Sequence, residues 1–166
     1  KKGDYLPSMS LRTQEPLEQY VTIIQDLAAV VQQIAIIEET KAEIAANRLH
    51  QKLDSCIQKE QALILKLRGL EQHRIKSQEA IGFGTLTLKQ IKESASSEQL
   101  LTLSPAFEAL ETQLKRLEHA RQAAEQMISV RIHEMEVFAQ RGQSYDNGGK
   151  VSSAAPSQNK FRSKYV

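Results

Sequence analysis

Tryptophan is absent from the chain, phenylalanine and tyrosine make up only 5% of its 166 residues, and there is one cysteine. So few aromatics leave little with which to build the large mixed core of an α/β enzyme. A lone thiol, Cys56, excludes an internal disulfide framework and is compatible with a reducing cytosol. Glycines number 7 and prolines 4, and none fall into Gly-x-Gly-x-x-Gly, a phosphate loop or Gly-x-Ser-x-Gly. That removes the commonest nucleotide-binding and esterase signatures. Neither sign of charge dominates: 22 Lys and Arg against 20 Asp and Glu leave +2, too little to draw nucleic acid to the chain as a whole. No apolar run is expected to match a membrane span, and the opening residues carry no signal-peptide pattern. Residues 1–8 read as added or processed sequence, with Met9 a candidate natural start.

What is present is the composition of a helical bundle, rich in Ala, Leu, Gln, Glu and Lys with 25% charged residues. The longest periodic stretch covers 105–141 and sets Phe107, Leu110, Leu114, Leu117, Ala124, Ile128, Met135 and Phe138 at steps of three, four or seven, an amphipathic helix. Ser104 reads as its N-cap, Pro105 as a first-turn residue, and Gly142 as the left-handed stop. Such a helix runs roughly 55 Å and needs facing helices for its apolar stripe.

Earlier in the chain, Pro16 opens a second run through Leu17, Tyr20, Ile24, Leu27, Val31 and Ile34, widened by Val21, Ala28, Ala35, Ile37 and Ile44. A stripe that wide requires more than one neighbour, which predicts a bundle rather than a two-stranded coil. The helix should reach Ala46, with Asn47 the weak point; whether a turn or a continuous rod follows is open at this stage. A third run uses Leu49, Leu53, Cys56, Leu63, Leu67, Leu70 and Ile81, with Glu60 and Arg74 where apolar groups belong. Gly82-Phe83-Gly84 is a firm stop. Thr87-Leu88-Lys89-Gln90 has capping-box form and predicts a short helix to about Ser94. Residues 94–97 read as a linker, and Leu100, Leu101 and Leu103 as a patch packed on the bundle. The predicted fold is all-α: an elongated antiparallel helical bundle or coiled coil of three long helices plus a short one. Its divisions are an irregular segment at 1–15, the bundle at 16–141, and a flexible basic tail at 142–166.

No catalytic, cofactor or metal constellation emerges. His50, His73, His119 and His133 each stand alone on a predicted helix, whereas a zinc site needs clustered ligands. His133-Glu134 starts like a zinc-protease helix, but position 137 is Val137. Cys56 lies on the apolar stripe without the cationic surroundings that activate a thiol. The reading is therefore not an enzyme. The last third of the long helix is different, because Met127, Val130, Ile132, Met135, Val137 and Phe138 occupy more than one face and no further helix follows to cover them. Uncovered apolar surface with flexible methionines suits recognition of a partner helix.

Beyond Gly142 comes turn chemistry at Tyr145-Asp146-Asn147-Gly148-Gly149, then a small polar stretch, then Lys160-Phe161-Arg162-Ser163-Lys164-Tyr165-Val166. The tail bears Lys150, Lys160, Arg162 and Lys164 against Asp146, a net +3 by subtraction. That run is too short and too poor in stacking residues for nucleic-acid binding, and it lacks a second anchor for stable membrane attachment.

The order of these features, a helical pair ending at a glycine stop, a leucine patch, a long helix, and then Tyr145-Asp146-Asn147-Gly148-Gly149-Lys150 with a Ser-rich stretch and a short basic end, resembles the FlgN-like family of flagellar export chaperones. The resemblance implies a cytoplasmic, non-enzymatic chaperone of flagellar type III secretion. It would bind terminal segments of hook-associated, or hook–filament junction, proteins and bring them to the export gate as a monomer in the complex, without cofactor, nucleic acid or membrane insertion. The tail aromatics Tyr145, Phe161 and Tyr165 would then close over the partner or dock on the gate. The other reading of the same stripes is a coiled-coil dimerisation or scaffold module.

Overall fold

The computed structural model describes the backbone of residues 11–142 and the side chains of residues 15–141. The elements are α1 (Leu11–Ala46), a 3-10 turn (His50–Lys52), α2 (Leu53–Ala80), α3 (Leu88–Ser94) and α4 (Ser97–Gly142), with no strand among the described residues. The chain divides into two compact units, Lys1–Arg131 and Ile132–Val166. The fold is the all-α helical bundle that the periodicity predicts.

Within the first unit the polar contacts fix the direction of each helix. Tyr20 meets Gln78 at 3.1 Å and Lys41 meets Glu60 at 2.8 Å, so α2 runs antiparallel to α1. Tyr20 also packs edge-on against Phe107, with ring centroids 6.3 Å apart. Further along, Arg116 grips Glu39 with two bonds of 2.8 Å, and Arg131 reaches the carbonyls of Ala45 and Ala46 at 3.0 and 2.9 Å. Residue numbers rise together in these pairs, so α4 is parallel to α1 and the three helices run up, down and up. Arg131 thereby pairs carbonyls that the end of α1 leaves without intrahelical partners.

The core joins Tyr20, Ile24, Leu27, Ala28 and Val31 of α1 to Leu103, Ala106, Phe107 and Leu110 of α4, with Ile91 of α3 and Phe83 closing one end. Helix α1 is buried on the widest arc because both α2 and α4 lie against it. This width corrects the expectation that no apolar stretch matches a membrane span: residues Glu15–Ala46 are long and apolar enough by length and composition. The physical reason is that a helix serving two neighbours needs almost as much apolar surface as one facing lipid. Here that surface is core, and Glu38, Glu39 and Lys41 on the same helix are ion-paired within the bundle.

Two helix starts lie upstream of where the prolines suggest. α1 begins at Leu11, with Pro16 inside it, and α4 begins at Ser97, with Pro105 inside it. Ser104 is therefore not an N-cap. Instead Ser96 and Gln99 cap α4 reciprocally, Gln99 N–H donating to the Ser96 hydroxyl at 3.2 Å and Ser96 N–H to the Gln99 carbonyl oxygen at 3.0 Å. A proline inside a helix costs about 3 kcal/mol, since the carbonyl four residues back loses its donor. Burial of Leu103, Ala106 and Phe107 around Pro105 offsets that cost. Of the leucine patch, Leu103 is core while Leu101 is 80% exposed.

Helices α1 and α2 are separate. Ile44 accepts from Leu49 N–H at 3.0 Å and Ala45 from Arg48 N–H at 3.2 Å, the bond pair of a Schellman stop. The left-handed residue is Arg48, at φ 60°, and not Asn47. The motif puts that conformation one place beyond the C-cap, and no glycine is available there. Leu49, expected on the apolar stripe, falls in this turn and is exposed.

At the other end of α2 the same bond pattern recurs, from Gly82 to Glu79 at 3.0 Å and from Phe83 to Gln78 at 3.1 Å, with Gly82 at φ 86°. Alanine at Gly82 would meet no atom within 4 Å, so its cost is the left-handed backbone alone, about 1 to 2 kcal/mol. Gly69 lies in the interior of α2, also with nothing within 4 Å of an added Cβ, and there alanine should stabilise by about 1 kcal/mol. Urea denaturation of Gly69→Ala and Gly82→Ala should therefore shift the midpoint in opposite directions. Equal shifts of one sign would contradict this assignment of the two glycines.

Candidate functional site

The sequence directs attention to the distal part of α4. In the unit that begins at Ile132, the side chains of Ile132, Met135 and Phe138 are exposed, Phe138 at 65%, while Val137 is half-buried. They recur at three-residue steps and so sit on neighbouring faces of successive turns. In the first unit, Met127 is half-buried and Val130 exposed. Tyr145, Phe161 and Tyr165 lie outside the described residues. The exposed groups carry no charge or nucleophile and offer only apolar contact, with one flexible thioether side chain that adapts to an irregular surface.

Two polar clusters lie inside the bundle, and both grow from residues that break the apolar pattern of α2. Near its middle, Glu60 meets Lys41, which also holds Glu38 at 3.0 Å. Glu38 is only 4% exposed. Burial, helped by the neighbouring Glu60, raises its carboxyl above the usual range against the pull of Lys41. Burial would raise Glu60 as well, but the hydrogen bond from Lys41, together with Glu38 and the charge of Arg121, holds it below. Burial opposes the charge on Lys41, and the two carboxylates override it, so its ammonium is held above its ordinary value. One cation thus serves two acids in a largely dry contact.

The second cluster centres on Gln78, 2% exposed. Its amide nitrogen donates to the carbonyls of Gly84 and Leu86 at 2.8 and 2.7 Å, and its oxygen accepts from the Tyr20 hydroxyl at 3.1 Å and from Arg74. Arg74 in turn forks onto Glu71 at 2.8 and 2.6 Å. Burial raises the Tyr20 phenol, against the pull of Arg74. Gln78 thereby ties α1, α2 and the segment leading into α3 together, a role that the sequence reading did not assign. Its signal is present in the spacing, for Gln78 stands four residues after Arg74 and three before Ile81 on the same stripe.

Cys56 is buried, and among the described residues no group of three His, Cys, Asp or Glu side chains could hold a metal. His50 lies in the 3-10 turn, and His73, His119 and His133 are exposed on separate stretches of helix. A cleft in the first unit also escaped the sequence reading, because its walls come from four elements far apart in the chain. Set against family models, curated proteins and solved structures, the chain matches none.

Proposed function

We propose that the chain is an export chaperone of the FlgN-like kind, which captures the terminal segment of a hook-associated flagellar protein and carries it to the type III export gate. The observation that supports this reading is the exposure of Ile132, Met135 and Phe138 on the last turns of α4. A soluble monomer gains nothing from a run of uncovered apolar side chains unless something covers them. A secreted subunit's terminal segment, amphipathic and unpaired until assembly, is the kind of helix that such a surface fits. The sequence Tyr145-Asp146-Asn147-Gly148-Gly149-Lys150 after Gly142, with its Ser-rich and basic sequel, supports the same family.

Replacing Met135 and Phe138 by Asp should abolish capture of a hook-associated protein's terminal segment. Losing two buried apolar contacts removes about 3 kcal/mol or more, a drop of roughly a hundredfold in affinity. Both side chains are exposed in the free chain, so its stability should move by no more than about 0.5 kcal/mol. Isothermal titration gives the affinity and urea denaturation the stability. Undiminished capture by the folded double variant would place recognition elsewhere.

A further inference from the structure

We propose that the cleft between α1, α2 and α4 binds a free fatty acid of medium chain length, its hydrocarbon among leucines and its carboxylate against Arg68. The proposal is independent of the chaperone reading and concerns a different surface. The cleft has a volume of about 690 Å³, within the range of roughly 300 to 1,000 Å³ usual for small-molecule sites. Leu27 and Val31 of α1, Leu67 of α2, Leu86, Leu88 of α3, and Leu110 and Leu114 of α4 all line it. The hydrogen bond from Gln78 to the Leu86 carbonyl ties the segment before α3 to α2.

Two features narrow the ligand. Among the described residues no aromatic side chain lines the cleft to offer a stacking face to a planar ring, whereas branched aliphatic walls suit a flexible hydrocarbon. Three of the described lining residues are charged. Glu71 and Arg74 neutralise each other, leaving Arg68, which pairs with no carboxylate among the described residues. An exposed guanidinium at the edge of an apolar slot complements a ligand with an oily body and an anionic head, because its planar fork matches a carboxylate.

The test uses decanoate as probe with the full chain. Calorimetric titration should show saturable binding, and in methyl NMR spectra the resonances of Leu67, Leu110 and Leu114 should shift while those of the exposed Leu101 stay in place. Arg68→Glu, a change on an exposed helical position, should weaken decanoate about tenfold, the factor supplied by one hydrogen bond to a charged group. The same variant should then prefer decyltrimethylammonium, which has the same chain and the opposite charge. Absence of saturable decanoate binding, binding that Arg68→Glu leaves unchanged, or shifts centred on Leu101 would each overturn the proposal. So would a leucine-rich helical peptide that saturates the cleft where decanoate does not, for the slot would then serve a protein partner.

Discussion

Gln78→Ala should cost at least about 4 kcal/mol, the sum of leaving several buried polar groups without partners at about 1 to 3 kcal/mol each. The carbonyls of Gly84 and Leu86 bond to this amide, and so do the Tyr20 hydroxyl and Arg74, which also face each other. Small helical chains are stable by only about 5 to 15 kcal/mol, so the loss would be a large part of the total. Tyr20→Phe provides the scale. It removes one hydroxyl, keeps the edge-on contact with Phe107, and leaves Gln78 bonded to Arg74 and both carbonyls. It should cost only about 1 kcal/mol. Urea denaturation of both variants checks the ratio. Similar costs for the two would mean that Gln78 holds nothing beyond Tyr20.

Lys41→Met should be nearly as damaging at pH 7, by about 3 kcal/mol, because it strands one buried and one half-buried carboxylate that one ammonium now serves. The pH dependence identifies the cause. Lys41 supplies the main pull lowering the Glu38 carboxyl and the main pull holding Glu60 below its ordinary 4.5. Without it, burial raises both above that value in the folded state. A carboxyl raised on folding takes up a proton more readily folded than unfolded, so the variant gains stability as the pH falls from 7 towards about 4.5. In the parent chain only the raised Glu38 acts above pH 4.5, since the lowered Glu60 changes stability below that value, so the parent gains less than the variant over this window. The penalty of Lys41→Met, read from denaturation midpoints, should therefore shrink between pH 7 and pH 5. A constant penalty would mean that the methionine fails through packing and not through charge.

Much of this architecture is legible in the chain because each helix announces itself twice, once by its apolar period and once at its ends. Gly82-Phe83-Gly84 and the Thr87 to Gln90 capping box read correctly, since glycine and reciprocal side-chain capping act within a few residues. Ser96-x-x-Gln99 is the same signature as Thr87-x-x-Gln90 and sits nine residues before Pro105. The proline masks it, although a fixed φ near −65° is compatible with helix and only the lost hydrogen bond objects. Arg48 is illegible for a different reason: nothing about arginine favours a left-handed backbone, and the stop is set by how α1 and α2 turn against each other. Glu60 and Arg74 stood out as polar residues on an apolar stripe, and both anchor buried clusters. Glu38 does not stand out because only the bundle brings it to Glu60 through Lys41, and Gln78, although four residues after Arg74, shows its role only where Tyr20 and the Gly84 and Leu86 carbonyls meet it.

The distal surface of α4 shows where the same logic has consequences for function. Met135 and Phe138 continue the spacing that buries Phe107 and Leu110, yet they are exposed. Periodicity tells which residues form a stripe and is silent on what lies against it. An apolar stripe that outlasts its cover is therefore the feature that the proposed capture of a junction subunit depends on.

The most direct test is the mass of the chain in solution, measured by light scattering alone and then with the terminal segment of a hook-associated protein. The account predicts a monomer alone and a one-to-one complex with the segment. A stable dimer whose mass the segment does not change would show that those residues face a second copy of the chain, and would contradict the chaperone reading.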